Sequence, residues 1–419
     1  MKNWIVIICL ILEPVPLFAQ HIFIPMDTTQ NDHLKAYGIA FWALERGVTV
    51  EWLLNYRGGA FLLNYSRPVF EEATIRGVTC TEISVSDAAV IYATIDGGNM
   101  SVVLLEKPPK IAVYTPPNKQ PWDDAVTLAL EYAEIRYDKI WDDEVLNGFL
   151  RKYDWLHLHH EDFTGQYGKF FSSYRHEEWY QLQQRDSKAM ALRLGFQKVS
   201  DQKKAVVNLI YEYLVGGGFL FAMCSATDTF DIALAAMDTD ICHEVFDGDP
   251  SDANAQANLD FSRTLAFQNF AIELNPLVYE YSDIDMTPKD MREIRTAEAE
   301  YFSLFEFSAK FDPVPTMLTQ SHSRIVNGFL GQTTAFRRSL IKDSVVILAD
   351  VEDSDQVRYI HGRVGKGTYT FYGGHDPEDH KHMVHDPPTN LALFPNSPGY
   401  RLILNNILFP AAKKKEQKT

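Results

Sequence analysis

A doubly wound α/β fold, with a flavodoxin-like, mostly parallel sheet carrying insertions, is what this chain predicts, on three observations. Apolar runs of strand length alternate with helical stretches along two long segments. The run FLFAM (219–223) delivers Cys224 to the start of another helical stretch, DTFDIALAAM, which is the pattern of a strand-to-helix turn. The charged, proline-rich break EKPPK (106–110) divides two series of the same rhythm and is too short to hold domains apart.

Taken in order, HIFIPM (21–26) predicts a strand and QNDHLKAYGIAFWALERG (30–47) a helix, apolar at 34, 37, 41 and 44. VEWLL (50–54) is the next strand, and NYRGGAFLL turns into another; SRPVFEEATIRG is a short helix before CTEISV and AAVIYATI. A second series opens with IAVYT (111–115), the helix DDAVTLALEYAEI (123–135), KIW (139–141) and a helix from DDEVLNGFL. DWLHLHH (154–160) follows, then the helix DQKKAVVNLIYEYLVGG (201–217) and the Cys224 strand. VVILADV (345–351) is a strand, QVRYIHGRVGKGTYTFYGG (356–374) two strands joined at Gly-Lys-Gly, and PGYRLILNNILFP (398–410) a terminal helix.

These elements divide the chain. Residues 1–20 have the form of a secretory signal peptide, with Lys2 ahead of an apolar stretch and Ala19 near a cut, broken by Glu13, Pro14 and Pro16. Residues 21–107 form an N-terminal α/β region packed on the main sheet. Residues 108–240 and 341–410 are the first and last parts of the core, and 241–340 is an insertion with only partial periodicity. Residues 411–419 are a basic tail. The expected location is therefore the periplasm or the extracellular space. No later apolar run reaches membrane-spanning length, and the net charge of -17 repels a nucleic acid backbone. After signal removal Cys80, Cys224 and Cys242 remain, too few for a disulfide scaffold.

Cys224 carries the first chemical reading. Ala222 and Ala226 flank it at two positions each way, which suits a tight elbow, and a helix beginning after it turns N–H groups toward the sulfur. An accessible, activated thiol with a lowered pKa is the expectation, against the alternative of a small hydrophobe ending a buried strand. His375 ends a strand in YGGHDPEDH, and in a parallel sheet such strand ends gather on one edge. An imidazole there serves as the base for the thiol, with Glu378 or Asp376 to orient the ring.

AMCSAT after GGGFLF, together with YGGHDPEDH, resembles the Cys and His-Glu parts of the class I glutamine amidotransferase-like superfamily, over roughly 110–240 and 340–410. The resemblance implies Cys224 as nucleophile, His375 as base and Glu378 as the acidic member. Two residues, Asp376 and Pro377, separate His375 from Glu378 where one is usual, and Ala222 and Ala226 replace the usual glycines. Over its whole length the chain also resembles a family of exported bacterial proteins labelled asparagine synthetase B. HIFIPMDTTQNDHLKAYGIAFWALERG, VEWLLNYRGGAF, DWLHLHHEDFTGQYGKF and LTQSHSRIVNGFLGQTTAF carry that likeness. The chemistry in that label needs an N-terminal catalytic Cys and an SGGxDS-type ATP loop; the closest glycine clusters here are NYRGGAF and VGGGFLF.

HLHHED (157–162) is the second loaded stretch. If the strand persists, His157, His159 and Glu161 share one face and form a candidate site for a divalent metal such as zinc, while His160 and Asp162 face away. His380, His382 and His385 add ligand types near His375. HHEDFTGQYG is equally a loop able to receive an oxyanion on its N–H groups, with Gly165 and Gly168 giving it freedom. Arg57 and His322 read first as turn and loop residues.

Three functions follow. The leading one is an exported amidotransferase-like hydrolase using a Cys224–His375 couple on an amide or ester carbonyl, with no cofactor. The second is a metal-assisted hydrolase built on HLHHED. The third is a non-catalytic sugar- or peptide-binding module on the same fold. The partner in each is a small molecule, sugar or peptide.

Overall fold

The computed structural model describes residues 20–118, 123–286, 296–381 and 383–413. Residues 1–19, which include nearly all of the expected signal peptide 1–20, the tail from 414 and His382 lie outside the described residues. Two sheets organise the chain. The first is built from β1 (His21–Ile24), β2 (Val50–Leu54), β3 (Ala60–Asn64), β4 (Thr81–Ile83) and β5 (Ser101–Leu105), in the order β4-β1-β3-β2-β5. Every pairing in it is antiparallel. A βαβ reading of the N-terminal segment puts β1 beside β2. Instead β2 turns tightly through Asn55–Gly59, where Asn55, Arg57, Gly58 and Gly59 all have positive φ. The returning β3 inserts between β1 and β2, antiparallel to both.

The second sheet contains β6 (Ile111–Tyr114), β7 (Asp138–Ile140), β8 (Trp155–Leu158), β9 (Phe219–Met223), β10 (Tyr301–Leu304), β11 (Ile325–Asn327), β12 (Phe336–Arg337), β13 (Val346–Asp350), β14 (Gln356–Val364) and β15 (Gly367–Tyr372). Its order is β11-β10-β13-β14-β15-β9-β8-β6-β7, with β12 on β14. The stretch β7-β6-β8-β9-β15 is parallel. The remainder is antiparallel because the β14–β15 hairpin reverses direction and β13, β10 and β11 continue the reversal. Among the described residues, nine strand pairings are antiparallel and four parallel. This corrects the expectation of a flavodoxin-like, doubly wound, mostly parallel sheet: the architecture is mixed, one sheet wholly antiparallel and the other parallel over only half its width.

The second sheet is buried on both sides, as a sheet with parallel strands requires. Along β8 and β9 the pleat sends Trp155, Phe219, Phe221 and Met223 to one core, which also holds Ile22, Trp52 and Phe61 of the first sheet. Leu156, Leu158, Leu220 and Ala222 go to the other core, under the helices Val199–Gly216 and Ser225–Ala235. Arg401, wholly buried on the terminal helix Pro398–Leu408, fastens that helix to the loops of the first sheet and to Tyr37. Its guanidinium donates to the carbonyls of Met26 (2.8 Å) and Gly58 and to the Tyr37 hydroxyl (3.2 Å). No helix among the described residues is long and apolar enough to cross a membrane.

Candidate functional site

Register brings three strand ends to one edge. Tyr372 of β15 is level with Met223 of β9, and Leu158 of β8 is level with Ala222. The residues that follow, His375, Cys224 and the pair His159–His160, therefore emerge together. Cys224 stands between β9 and the helix Ser225–Ala235 with φ 48° and ψ -139°. That conformation is strained for a residue with a Cβ and costs on the order of 1–3 kcal/mol. The wholly buried neighbours Ala222 and Ala226 leave room for the bend.

The sulfur is not in solvent: Cys224 is 2% exposed. A loop of the 241–340 insertion lies over it, with the backbone N–H of Gln332 donating to Sγ at 3.3 Å. Gly331 packs tightly there. A Cβ would come within 3.2 Å of Sγ and 3.1 Å of the His375 backbone nitrogen. Burial pushes the Cys224 thiol up to about 11, against the backbone N–H groups of Thr333, Gln332 and Ser225, which favour the thiolate. The accessible, acidified thiol expected from a helix N-terminus is thus corrected: at rest the group is a covered, neutral thiol, because desolvation outweighs three N–H dipoles. Cys80 and Cys242 are free as well.

His375 packs its ring on His159, with centroids 4.3 Å apart, and parallel to His160 at 5.8 Å. Gly331 lies against both the His375 backbone and Sγ. Glu378 is half-buried, and its carboxyl, raised by burial, is hydrogen-bonded by Ser397. Asp376 accepts from the Tyr400 hydroxyl at 2.7 Å and from the Glu378 N–H at 3.1 Å. Both acids are thus engaged by the terminal helix and its cap.

The HLHHED stretch is arranged differently from its period-two reading. β8 stops at Leu158, so alternation ends there and His160 turns toward His159 and His375 instead of away. His157 is wholly buried with both nitrogens occupied: Nδ1 lies 3.1 Å from the Phe221 carbonyl and Nε2 3.0 Å from Asp124 Oδ2. His159 Nδ1 lies 3.1 Å from the same oxygen, though off the N–H direction, and its Nε2 has no hydrogen-bond partner among the described residues. Glu161 folds back to accept the His159 backbone N–H at 2.8 Å, so it is not aimed beside the imidazoles. Burial, with the charge of Asp124, lifts Glu161 to about 7.

Two acids here were not visible as site residues in the sequence. Asp124 caps the helix Ala125–Tyr132 through Oδ1 to the Thr127 N–H (2.8 Å) and offers Oδ2 to the histidines. Burial works to raise it, but the His157 and His159 imidazoles more than offset that and hold it well below the usual carboxylate range. An Asp before an apolar helical run was the available signal. Asp228, one helical turn after Cys224, is wholly buried and accepts from the Thr333 hydroxyl and the Thr229 N–H, each at 2.9 Å. Burial raises it to about 7.

A cavity of about 370 Å³ opens beside this edge, bounded by His160, Glu161, Tyr167, Phe170, Trp141 and Lys203. A larger one, about 830 Å³, lies at the opposite end of the strands near Asp154, Gly217 and Lys366, away from Cys224. Away from the edge, Arg57 pairs with Asp27 at 2.6 Å and His322 stacks on His33 at 4.1 Å.

No known family model matches the chain, and no curated protein matches it. Among solved structures it is similar to the cytoplasmic protein STM3548 from Salmonella typhimurium, at 10% identity over 73% of this chain and 100% of that one, with a TM-score of 0.36. The cytoplasmic protein STM1381 from Salmonella typhimurium LT2 gives 11% identity, the same coverages and 0.36. Gan42B, a GH42 beta-galactosidase, gives 11% over 64% of this chain and 28% of that chain, with 0.29. Likeness at this level leaves the site to be read from its own residues.

Proposed function

We propose that this chain is a hydrolase that attacks an amide or ester carbonyl through the thiol of Cys224. The observation that carries the reading is the backbone of Cys224, φ 48° and ψ -139°, between a buried strand and a helix N-terminus. Strain of that kind persists where a side chain must be held up from a sharp turn, as in nucleophile elbows. A purely structural thiol has no need of it. The N–H groups of Gln332, Thr333 and Ser225 around Sγ support the same reading, since they favour a thiolate, and Ser225, which does not belong to the covering loop, keeps its N–H beside the place where an oxyanion forms.

In the proposed cycle, substrate displaces the Gln332 loop, and His375 takes the Sγ proton as sulfur bonds to the carbonyl carbon. The tetrahedral intermediate expels the amine or alcohol, which leaves with the proton from His375. Water, deprotonated by the same imidazole, then attacks the thioester, releasing the acid and restoring the thiol. The resting thiol's raised pKa fits this order, with the proton held until the substrate arrives. The cavity beside His160 offers the entry for a small molecule, sugar or peptide, and the signal-like N-terminus supports a reaction outside the cytoplasm. The resemblance of AMCSAT and YGGHDPEDH to amidotransferase-like Cys and His parts points the same way.

The test is hydrolysis of a panel of nitrophenyl esters and anilides by the full chain. Cys224→Ala is expected to lose roughly 100-fold or more, with Cys242→Ala unchanged. Equal activity of Cys224→Ala and wild type sinks the proposal.

A further inference from the structure

We infer that His159, His160 and His375 form a binding site for one divalent transition cation of the zinc class. One ring nitrogen from each lies within 4.8 Å of the other two. Ligands sit about 2.0–2.1 Å from zinc, so small ring rotations close the set. Three imidazoles with no thiolate select zinc, cobalt, nickel or copper over magnesium or calcium.

Proximity is joined by an independent observation. His159 is wholly buried, and its Nε2 meets no hydrogen-bond partner among the described residues. A buried imidazole nitrogen left so is costly unless something binds it. Behind the same ring, Asp124 Oδ2 lies 3.1 Å from Nδ1. A carboxylate on the far nitrogen is how ligating histidines have their tautomer and orientation fixed. Asp124 is itself fixed, as a helix cap and by His157 at 3.0 Å.

The arrangement also replaces the metal set read from the sequence. His157 has both nitrogens occupied and Glu161 is turned to the His159 N–H, so neither is a ligand. His157 belongs behind Asp124 and His160 takes its place. Three protein ligands leave a fourth position open, and His160 also borders the 370 Å³ cavity. An ion on His375 takes up a ring nitrogen of the proposed base and is expected to slow the thiol chemistry; binding is measured without reference to that chemistry.

The experiment titrates the metal-stripped full chain with Co²⁺, followed by visible absorption, and competes it with Zn²⁺. One ion per chain is expected, with nitrogen-type bands and no thiolate charge-transfer band. His160→Ala and His375→Ala, checked for folding by circular dichroism, are each expected to weaken binding tenfold or more, and Asp124→Asn roughly 10–100-fold. Cys224→Ser and the exposed His176→Ala are expected to stay within about twofold of wild type. Absence of stoichiometric binding by wild type, full binding by folded His160→Ala and His375→Ala, or its loss in Cys224→Ser overturns the inference.

Discussion

The backbone N–H of Gln332 points at the sulfur of Cys224 across 3.3 Å, from a loop 108 residues further along the chain. The same residue's side-chain amide donates to the carbonyls of Gly168 (2.7 Å) and Tyr279 (3.2 Å). One glutamine thus ties together three segments that cover the thiol. Gln332→Ala removes both side-chain bonds, each worth about 0.5–1.5 kcal/mol. It is expected to raise the alkylation rate of Cys224 several-fold in peptide mapping, with Cys80 unchanged. An unaltered rate argues against a Gln332 latch.

The pH profile of that alkylation is the second prediction. Burial disfavours the charged sulfur and places the thiol near 11. Reaction at Cys224 in the resting chain should climb about tenfold per pH unit through pH 9, because the thiolate fraction does so below the pKa. A plateau by pH 8 contradicts a desolvated thiol.

A third prediction concerns stability in acid. His33 and His322 are stacked at 4.1 Å, and burial, with the nearby Arg401 charge, holds them near 4 and 3. The unfolded chain takes up these protons near pH 6.5, before the folded one does. Stability from this pair is therefore complete above about 6.5 and is lost as pH falls toward 4. His322→Gln should lose less stability than wild type between pH 7 and 5 in urea denaturation. Glu161 and Asp228, raised by burial, slope the opposite way in both proteins and cancel in the comparison. Equal pH slopes for the two proteins count against the assignment.

Arg358 supplies the fourth. It is 1% exposed and pairs with the wholly buried Glu300 side chain, while donating to the carbonyls of Phe329 (3.2 Å) and Thr334 (3.1 Å). Those carbonyls bracket the loop over Cys224. Arg358→Met removes the guanidinium from the buried Glu300 and frees both ends of the loop, an expected cost of about 3–5 kcal/mol. Urea unfolding at pH 7 measures it; a loss below about 1 kcal/mol would mean the buried pair is not the clamp.

The parts of this architecture that could be read in the sequence are those written locally. IAVYT, WLHL and FLFAM are apolar runs whose burial on both faces follows from composition, and they pair in parallel. The insertion of β3 between β1 and β2 depends on which distant edge a returning hairpin meets, and no short window encodes that. At the candidate site, the strand-to-helix turn at Cys224 was legible from its small neighbours, and the arrival of His375 at the same sheet edge from its place after a strand. The end of β8 at Leu158 was not, and it decides where His160 points. Asp124 was hidden because an Asp at a helix start is explained by capping alone. The Gln332 cover comes from a stretch with little periodicity, so its position over the thiol had no local signature.

The most direct test of the central claim is intact-mass and peptide-level detection of an acyl adduct when the full chain is mixed with an activated ester near pH 8. The account predicts a single thioester on Cys224, formed and hydrolysed in step with turnover, and slowed roughly 100-fold or more in His375→Ala. Turnover by a Cys224→Ala chain at the wild-type rate, with no adduct on Cys224 in wild type, contradicts it.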